Sequence, residues 1–406
     1  MNIPKLFSDS VWRDDLVAIT KTPELWLYAV LVVLAPSITF VSLRALGSIV
    51  PGACVILSIL FLWQYRRLPL PSFGLASIWA AFMALIVYAS LIALDADYAW
   101  GRVGKLAMFS FSAMMIWICA QQGHVLRPLK TVMVGIMGIA ILFGLMEGLT
   151  DGWFFWLTHD VDRLGAVLAA NRPMVVLALM IWPVVLILAE RVGVLAVAGL
   201  LLGILLVSFT AESQSSQLGL FAGSVVLSLA LVWPRATGWA CLVGGAVAIL
   251  GMPFFFAFID LNQAIGESAL ARNTILPRLE LWAFVGEKVI DLFPFGYGLE
   301  AGRSISLADM DQTYFQGSLM HHPHNGVLQI WLEFGLIGAV GAALAWMALI
   351  KRVIEMNRWP AATSLAGAGC FLVIASVSHG LWQSWWVSAL ALVPFLFAVA
   401  NVPEKR

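Results

Sequence analysis

The densest chemistry in this chain lies at His321-His322-Pro323-His324-Asn325, which gathers three of the six histidines of 406 residues into four positions. A neutral imidazole takes a proton from an attacking hydroxyl near neutral pH, so a histidine at the edge of an apolar run is a general-base candidate. Asn325, Gln329 and Glu333 follow at i, i+4 and i+8. On a helix they form one polar stripe, which should face protein or a water-filled cavity rather than lipid. Pro323 suits the first turn of that helix, with His324 near the positive end of its dipole, where an imidazolium is disfavoured. Two alternatives stand beside this one. The histidines could be interfacial and the glutamate buried by packing. A zinc ion could also be held by His321, His322 and His324, although that spacing converges poorly on one ion.

Arginines supply the second chemistry. Arg163, Arg172, Arg272, Arg278 and Arg303 fall in or beside the two longest polar stretches, and a guanidinium matches phosphate oxygens by forked donation. Each alone could equally be a salt-bridged or headgroup-facing residue. Together, beside a histidine, they point to a lipid-linked phosphate or diphosphate. Asp95-Ala96-Asp97, Asp160-Val161-Asp162 and Asp309-Met310-Asp311 could hold a divalent cation with substrate phosphates. The pattern is short and common in acidic loops, so neither a metal nor another cofactor is expected.

The elements that position these residues are membrane spans. The chain is 61% hydrophobic and 11% charged, far from soluble-domain composition. Apolar segments run over approximately 26–43, 48–64, 73–93, 105–120, 131–149, 173–189, 193–210, 217–233, 238–258, 324–349, 361–378 and 382–400, about twelve by length and hydropathy. The expected fold is all-α: a polytopic integral membrane protein with about 12 transmembrane helices and one large periplasmic loop containing short helices. Residues 1–258 would carry spans 1–9, 259–323 the loop, and 324–406 spans 10–12. A cytoplasmic N-terminus puts 14 of the 23 basic residues in short inside loops, so both termini are expected inside. The first 25 residues read as an amphipathic lead-in without a cleavable signal. Within the loop, Pro277 to Ile290 reads as an amphipathic helix, and Pro294-Phe295-Gly296-Tyr297-Gly298 as turns. Cys54, Cys119, Cys241 and Cys370 lie in apolar runs without ligand spacing. Zero net charge gives no footprint for nucleic acid.

His324-Asn325, nine residues, then Gly335-x-x-Gly338 resembles the signature of the O-antigen ligase and O-antigen polymerase superfamily. Arg278-x-x-x-Trp282 followed by Pro294-x-Gly296-x-Gly298 resembles its large periplasmic loop, and Arg163 with Gly165 and Asn171 resembles its preceding outer loop. One departure stands out. Where the family often carries Ser-Arg-Gly, this chain reads Glu212-Ser213-Gln214-Ser215-Ser216-Gln217-Leu218-Gly219, so that arginine's contact is lost or replaced by Gln217.

The resemblance implies transfer of a glycan from an undecaprenyl-diphosphate donor to an acceptor hydroxyl on the periplasmic face of the bacterial inner membrane, with inversion and without metal. His324 and Arg278 would be catalytic. Arg163, Arg303, Arg272, Asn325, Gln329 and Glu333 would bind substrate. The acceptor would be lipid A–core for a ligase or a growing polysaccharide for a polymerase. A transporter or flippase of lipid-linked sugars, which binds phosphate without making a bond, is the reading of another class.

Overall fold

The computed structural model describes residues 9–22, 25–26, 28–30, 36–37, 39–40, 42–121, 126–158, 163–258, 274–310 and 312–403, with Asp9, Ser10, Leu43, Arg44, Ala120 and Arg163 to Ala169 described by backbone alone. These residues form helices and connections. In chain order the helices are α1 (Asp9–Lys21), α2 (Leu43–Tyr65), α3 (Phe73–Leu91), α4 (Ala96–Ala120), α5 (Leu129–Leu149), α6 (Trp153–Thr158), α7 (Arg163–Arg191), α8 (Val194–Thr210), α9 (Gln214–Val232), α10 (Pro234–Phe258), α11 (Leu276–Asp291), α12 (Gly326–Ile354), α13 (Arg358–Val377) and α14 (Ser384–Ala400). Among the described residues, nine helices are long and apolar enough to cross a membrane, and α8 and α14 are shorter apolar helices. The chain is an all-α, multi-pass membrane protein. The expected first span, 26–43, is described only in part, with residues 27, 31–35, 38 and 41 outside the described residues.

Helix α7 is the axis of the bundle. Its stretch Met174 to Ile187 is almost wholly buried, with α5, α8, α9, α13 and α14 packed around it. The outward faces of the surrounding helices are apolar as well: Ile59 on α2, Ile78 on α3, Leu142 on α5 and Phe221 on α9 are exposed. Water would not tolerate such a rim, whereas lipid tails are as apolar as those side chains.

Short polar side chains set helix starts by satisfying otherwise orphaned N–H groups. Ser72 accepts from the Leu75 N–H at 3.3 Å and Asp95 from the Tyr98 N–H at 3.0 Å. Helix α4 thus begins at Ala96, nine residues before the expected 105. Arg102 and Lys105 depress the hydropathy of its first turns without interrupting the helix. A cap also corrects the start of α12. Asn325, in extended backbone, accepts from the Leu328 N–H at 3.0 Å, so the helix opens at Gly326, and Pro323 and His324 precede it rather than forming its first turn.

Helix α12 is broken at Gly335, whose φ of 62° and ψ of −151° belong to a region essentially reserved for glycine. The break is where the 293–298 loop docks. With the helical ladder interrupted, the carbonyls of Leu332 and Glu333 accept from the N–H groups of Tyr297 (2.7 Å) and Gly298 (3.1 Å), and the Leu336 N–H donates to the Pro294 carbonyl (2.8 Å). A Cβ on Gly335 would overlap the Pro294 carbonyl oxygen and lie 2.5 Å from the Phe295 carbonyl carbon. The two glycine patterns in the sequence are therefore the two sides of one contact.

Candidate functional site

Helix α11 connects the arginine to the histidine. Arg278 and Trp282 lie one turn apart on the same face. The Trp282 Nε1–H donates to the Pro323 carbonyl at 2.8 Å, tying α11 to the segment immediately ahead of His324. Arg278 is half-buried and has neither an ion-pair nor a hydrogen-bond partner among the described residues. Burial lowers its pKa from the ordinary value. The guanidinium is close enough to His324 for its charge to help hold that imidazole below the usual histidine range.

His324 sits at a φ of 52°, and its Nδ1 lies 2.9 Å from the Ser378 carbonyl oxygen. A carbonyl only accepts, so Nδ1 carries the proton and the neutral ring presents its lone pair at Nε2. Burial is the larger cause of its lowered pKa; Arg278 adds to it and the Ser378 carbonyl opposes it. His322 packs against the same ring, centroids 4.3 Å apart, and its Nδ1 accepts from the His324 N–H at 3.3 Å. Its pKa is lowered to about 3 by burial, then by the neighbouring His324, Arg303, His321 and Arg172. His321 is exposed.

The polar stripe is present and faces protein. Asn325, Gln329 and Glu333 are all buried. The Gln329 Nε2–H donates to Glu333 at 2.7 Å, the Leu381 N–H to Gln329 at 2.9 Å and the Trp382 Nε1–H to Glu333 at 2.6 Å. The amide of Asn325 lies 3.2 Å from the Met252 sulfur. These groups are engaged with one another and with the 378–383 loop, so they brace the loop whose Ser378 carbonyl orients His324.

Arg303 donates its Nε to Glu300 at 3.0 Å, and Arg102 forms an ion pair with the other oxygen of that carboxylate, its Nε 2.7 Å away. Both guanidiniums lie over the Tyr98 ring, with centroid distances of 4.9 and 5.1 Å. Arg303 is therefore partly committed, unlike Arg278. The side chain of Arg163 and all of Arg272 lie outside the described residues, as do Asp160, Asp162 and Asp311. Asp95 is used as the α4 cap. Among the described residues no His, Cys, Asp and Glu cluster could hold a metal ion.

In the Glu212 to Gly219 stretch, the Gln217 Nε2–H donates to the Ser208 carbonyl in the last turn of α8 at 3.0 Å. Ser215 does connect to the site, accepting from the Ser378 hydroxyl at 3.2 Å. His379 joins the cluster too. Its ring packs on Trp385 with centroids 4.7 Å apart, its Nε2 is buried without a hydrogen-bond partner among the described residues, and its pKa is lowered to about 3 by burial, then by the neighbouring His324, Arg172, His322 and Arg278. Its only signal in the sequence is an ionisable ring in a short turn between two apolar runs.

A family model described as O-antigen ligase matches residues 198–343, which include Arg278, the 294–298 loop, His324 and both motif glycines of α12. A Rickettsia conorii protein carrying the name "putative polysaccharide ligase" is 24% identical over 347 residues, covering 84% of this chain and 82% of its own length. A Rickettsia prowazekii protein of the same description is 26% identical over 273 residues, 65% of each chain. No solved structure matches. The motif residues that converge here fall within the matched segment, and the family match and the relatives together support the O-antigen ligase superfamily.

Proposed function

We propose that the chain is an inverting, metal-independent membrane glycosyltransferase that moves a glycan from undecaprenyl diphosphate to a hydroxyl of lipid A–core at the periplasmic face of the inner membrane. The observation that carries this reading is the pairing of an unpartnered, half-buried Arg278 guanidinium with an imidazole whose Nδ1–H is held by Ser378. His324 Nε2 takes the acceptor's hydroxyl proton as the oxygen attacks the anomeric carbon. The bond from that carbon to the diphosphate oxygen breaks, and its electron pair leaves with the diphosphate. Arg278 stabilises the developing charge, with Arg172 and the free part of Arg303 adding to the field. A single displacement inverts the anomeric centre. Arg163 and Arg272 are further candidates for the diphosphate on sequence grounds.

The test is transfer by purified protein from undecaprenyl-diphosphate glycan, with and without lipid A–core, in EDTA, for wild type, Arg278→Ala and His324→Ala. Transfer that requires lipid A–core, persists in EDTA and is lost in both variants supports the reading. Chain lengthening without lipid A–core makes the protein a polymerase using the same residues. Substrate binding with no new bond under any condition makes it a transporter.

A further inference from the structure

A second cationic cleft opens on another flank of the same end of the bundle. Arg102 and Lys105 of α4, Gly47 and Ser48 of α2, and Trp382 and Ser384 at the start of α14 line a cavity of about 280 Å³. That is near the small end for ligand sites, ~300 Å³, and suits a headgroup rather than a whole lipid. Lys105 is exposed and has no ion-pair or hydrogen-bond partner among the described residues. The single carboxylate of Glu300 already serves both Arg102 and Arg303, and a terminal nitrogen of Arg102 donates to the Tyr98 hydroxyl at 2.9 Å, which leaves Lys105 as the cation without a counter-ion among the described residues. Asp95 caps the helix, and Asp97 lies eight residues from Lys105, roughly 12 Å along the axis, too far to pair with it.

An unpaired cation inside a span is costly and marks a ligand or ion path, and Lys105 lies within a helix apolar and long enough to cross. The neighbouring surface is bare: nothing lies within 4 Å of a Cβ placed on Gly101 or Gly104. A lipid tail could lie against α4 there with its phosphate at the two cations.

We propose that the Arg102–Lys105 cleft binds the phosphate of a membrane-resident lipid, the tail lying along the Gly101–Gly104 face of α4. On the glycosyl-transfer reading, with Arg278 serving the donor diphosphate, this lipid is the phosphorylated acceptor. The Arg102–Glu300–Arg303 bridge and the Trp382–Glu333 hydrogen bond join its cleft to the loops that carry the histidines.

The test is phosphatidic acid binding to the purified full chain, read by native mass spectrometry in detergent, in an Arg278→Ala background that removes the donor-side cation. Diacylglycerol of the same chains and inorganic phosphate serve as controls. Losing one charge-assisted contact should weaken phosphatidic acid binding about tenfold in Lys105→Ala, while Lys105→Arg stays within about threefold. Diacylglycerol should bind weakly to every variant, and millimolar inorganic phosphate should fail to displace the lipid. Undiminished binding by Lys105→Ala overturns the proposal, and so does full displacement by inorganic phosphate. Phosphatidic acid carries no glycan acceptor and is read by binding alone, so a failure of lipid binding and a failure of glycosyl transfer remain distinguishable.

Discussion

Arg278→Ala should separate catalysis from stability in a way no salt-bridged arginine can. The guanidinium is half-buried with no partner among the described residues, so the fold bears its desolvation without a compensating contact. Truncation removes that burden, and the thermal midpoint in detergent should hold or rise. Transfer should suffer. Two charge-assisted hydrogen bonds to a leaving diphosphate, at about 1.5–2 kcal/mol each, amount to roughly 3–4 kcal/mol, or a 10²–10³-fold loss in kcat/KM. Arg278→Lys keeps the charge but not the fork and should fall between, near tenfold. Arg191 at the opposite end of the bundle is the control. It forms an ion pair with the fully buried Asp15 at 2.9 Å, and Arg127 pairs with the same carboxylate at 3.1 Å. Arg191→Ala should cost about 1–3 kcal/mol of stability and leave the kcat/KM of the folded fraction near wild type. The role given to Arg278 is refuted if Arg278→Ala lowers the midpoint as much as Arg191→Ala does, or if its kcat/KM stays within threefold of wild type.

The remaining expectations concern the parts that hold this pair. Burial, then the Arg278 charge, lower the His324 pKa from its ordinary 6.5. Because the neutral ring is the base, kcat/KM should fall only as pH drops through that lowered value. An acid limb with its midpoint at or above 6.5 would refute the assignment, and in the residual activity of Arg278→Gln the limb should move toward 6.5. Gly335→Ala places a Cβ against the Pro294–Phe295 backbone at a φ of 62°. A loss of about 3 kcal/mol or more is expected, from ~1–3 kcal/mol of backbone strain plus the overlap, and an unchanged thermal midpoint would contradict the docking described. Glu280 accepts from the N–H groups of Thr313, Tyr314 and Phe315 at 2.8–3.2 Å. Glu280→Ala should release that loop, read as faster amide exchange at 313–315, and equal protection there would show that the carboxylate does not hold it.

How legible was this site? Spans were readable because lipid demands long apolar runs, and most predicted boundaries fall within a few residues of the helices. The α4 start escaped hydropathy because Arg102 and Lys105 occupy its first turns, yet the Asp95 cap was available as a signal. The Pro323 expectation failed for a similar reason: an asparagine able to bond the N–H three residues on defines the first turn more strongly than a proline two residues earlier. Arg278, Trp282 and His324 were legible as motif positions, but the hydrogen bond that makes them one site joins residues 41 apart. His379, Ser378 and Ser215 carry no local pattern. They reach His324 only because the turn after α13 closes over the start of α12, and a chain read in one dimension contains no such proximity.

The spacing from Asn325 to Gly335 then acquires a mechanical meaning. The N-cap fixes where α12 begins, directly after His324, and the break at Gly335 fixes where the 293–298 loop docks. Between them run nine helical residues, roughly 14 Å at 1.5 Å each. Glu300, two residues beyond that loop, carries Arg303 and Arg102, so the helical segment sets the distance between the imidazole and the paired arginines. One residue more or less would turn the break by about 100° about the helix axis and aim the Leu332 and Glu333 carbonyls away from Tyr297 and Gly298. Gln329 and Glu333, along the same segment, hold Leu381 and Trp382 and so keep the Ser378 carbonyl against Nδ1 of His324. A single interrupted helix thus positions the base, orients its tautomer and spaces it from the cations.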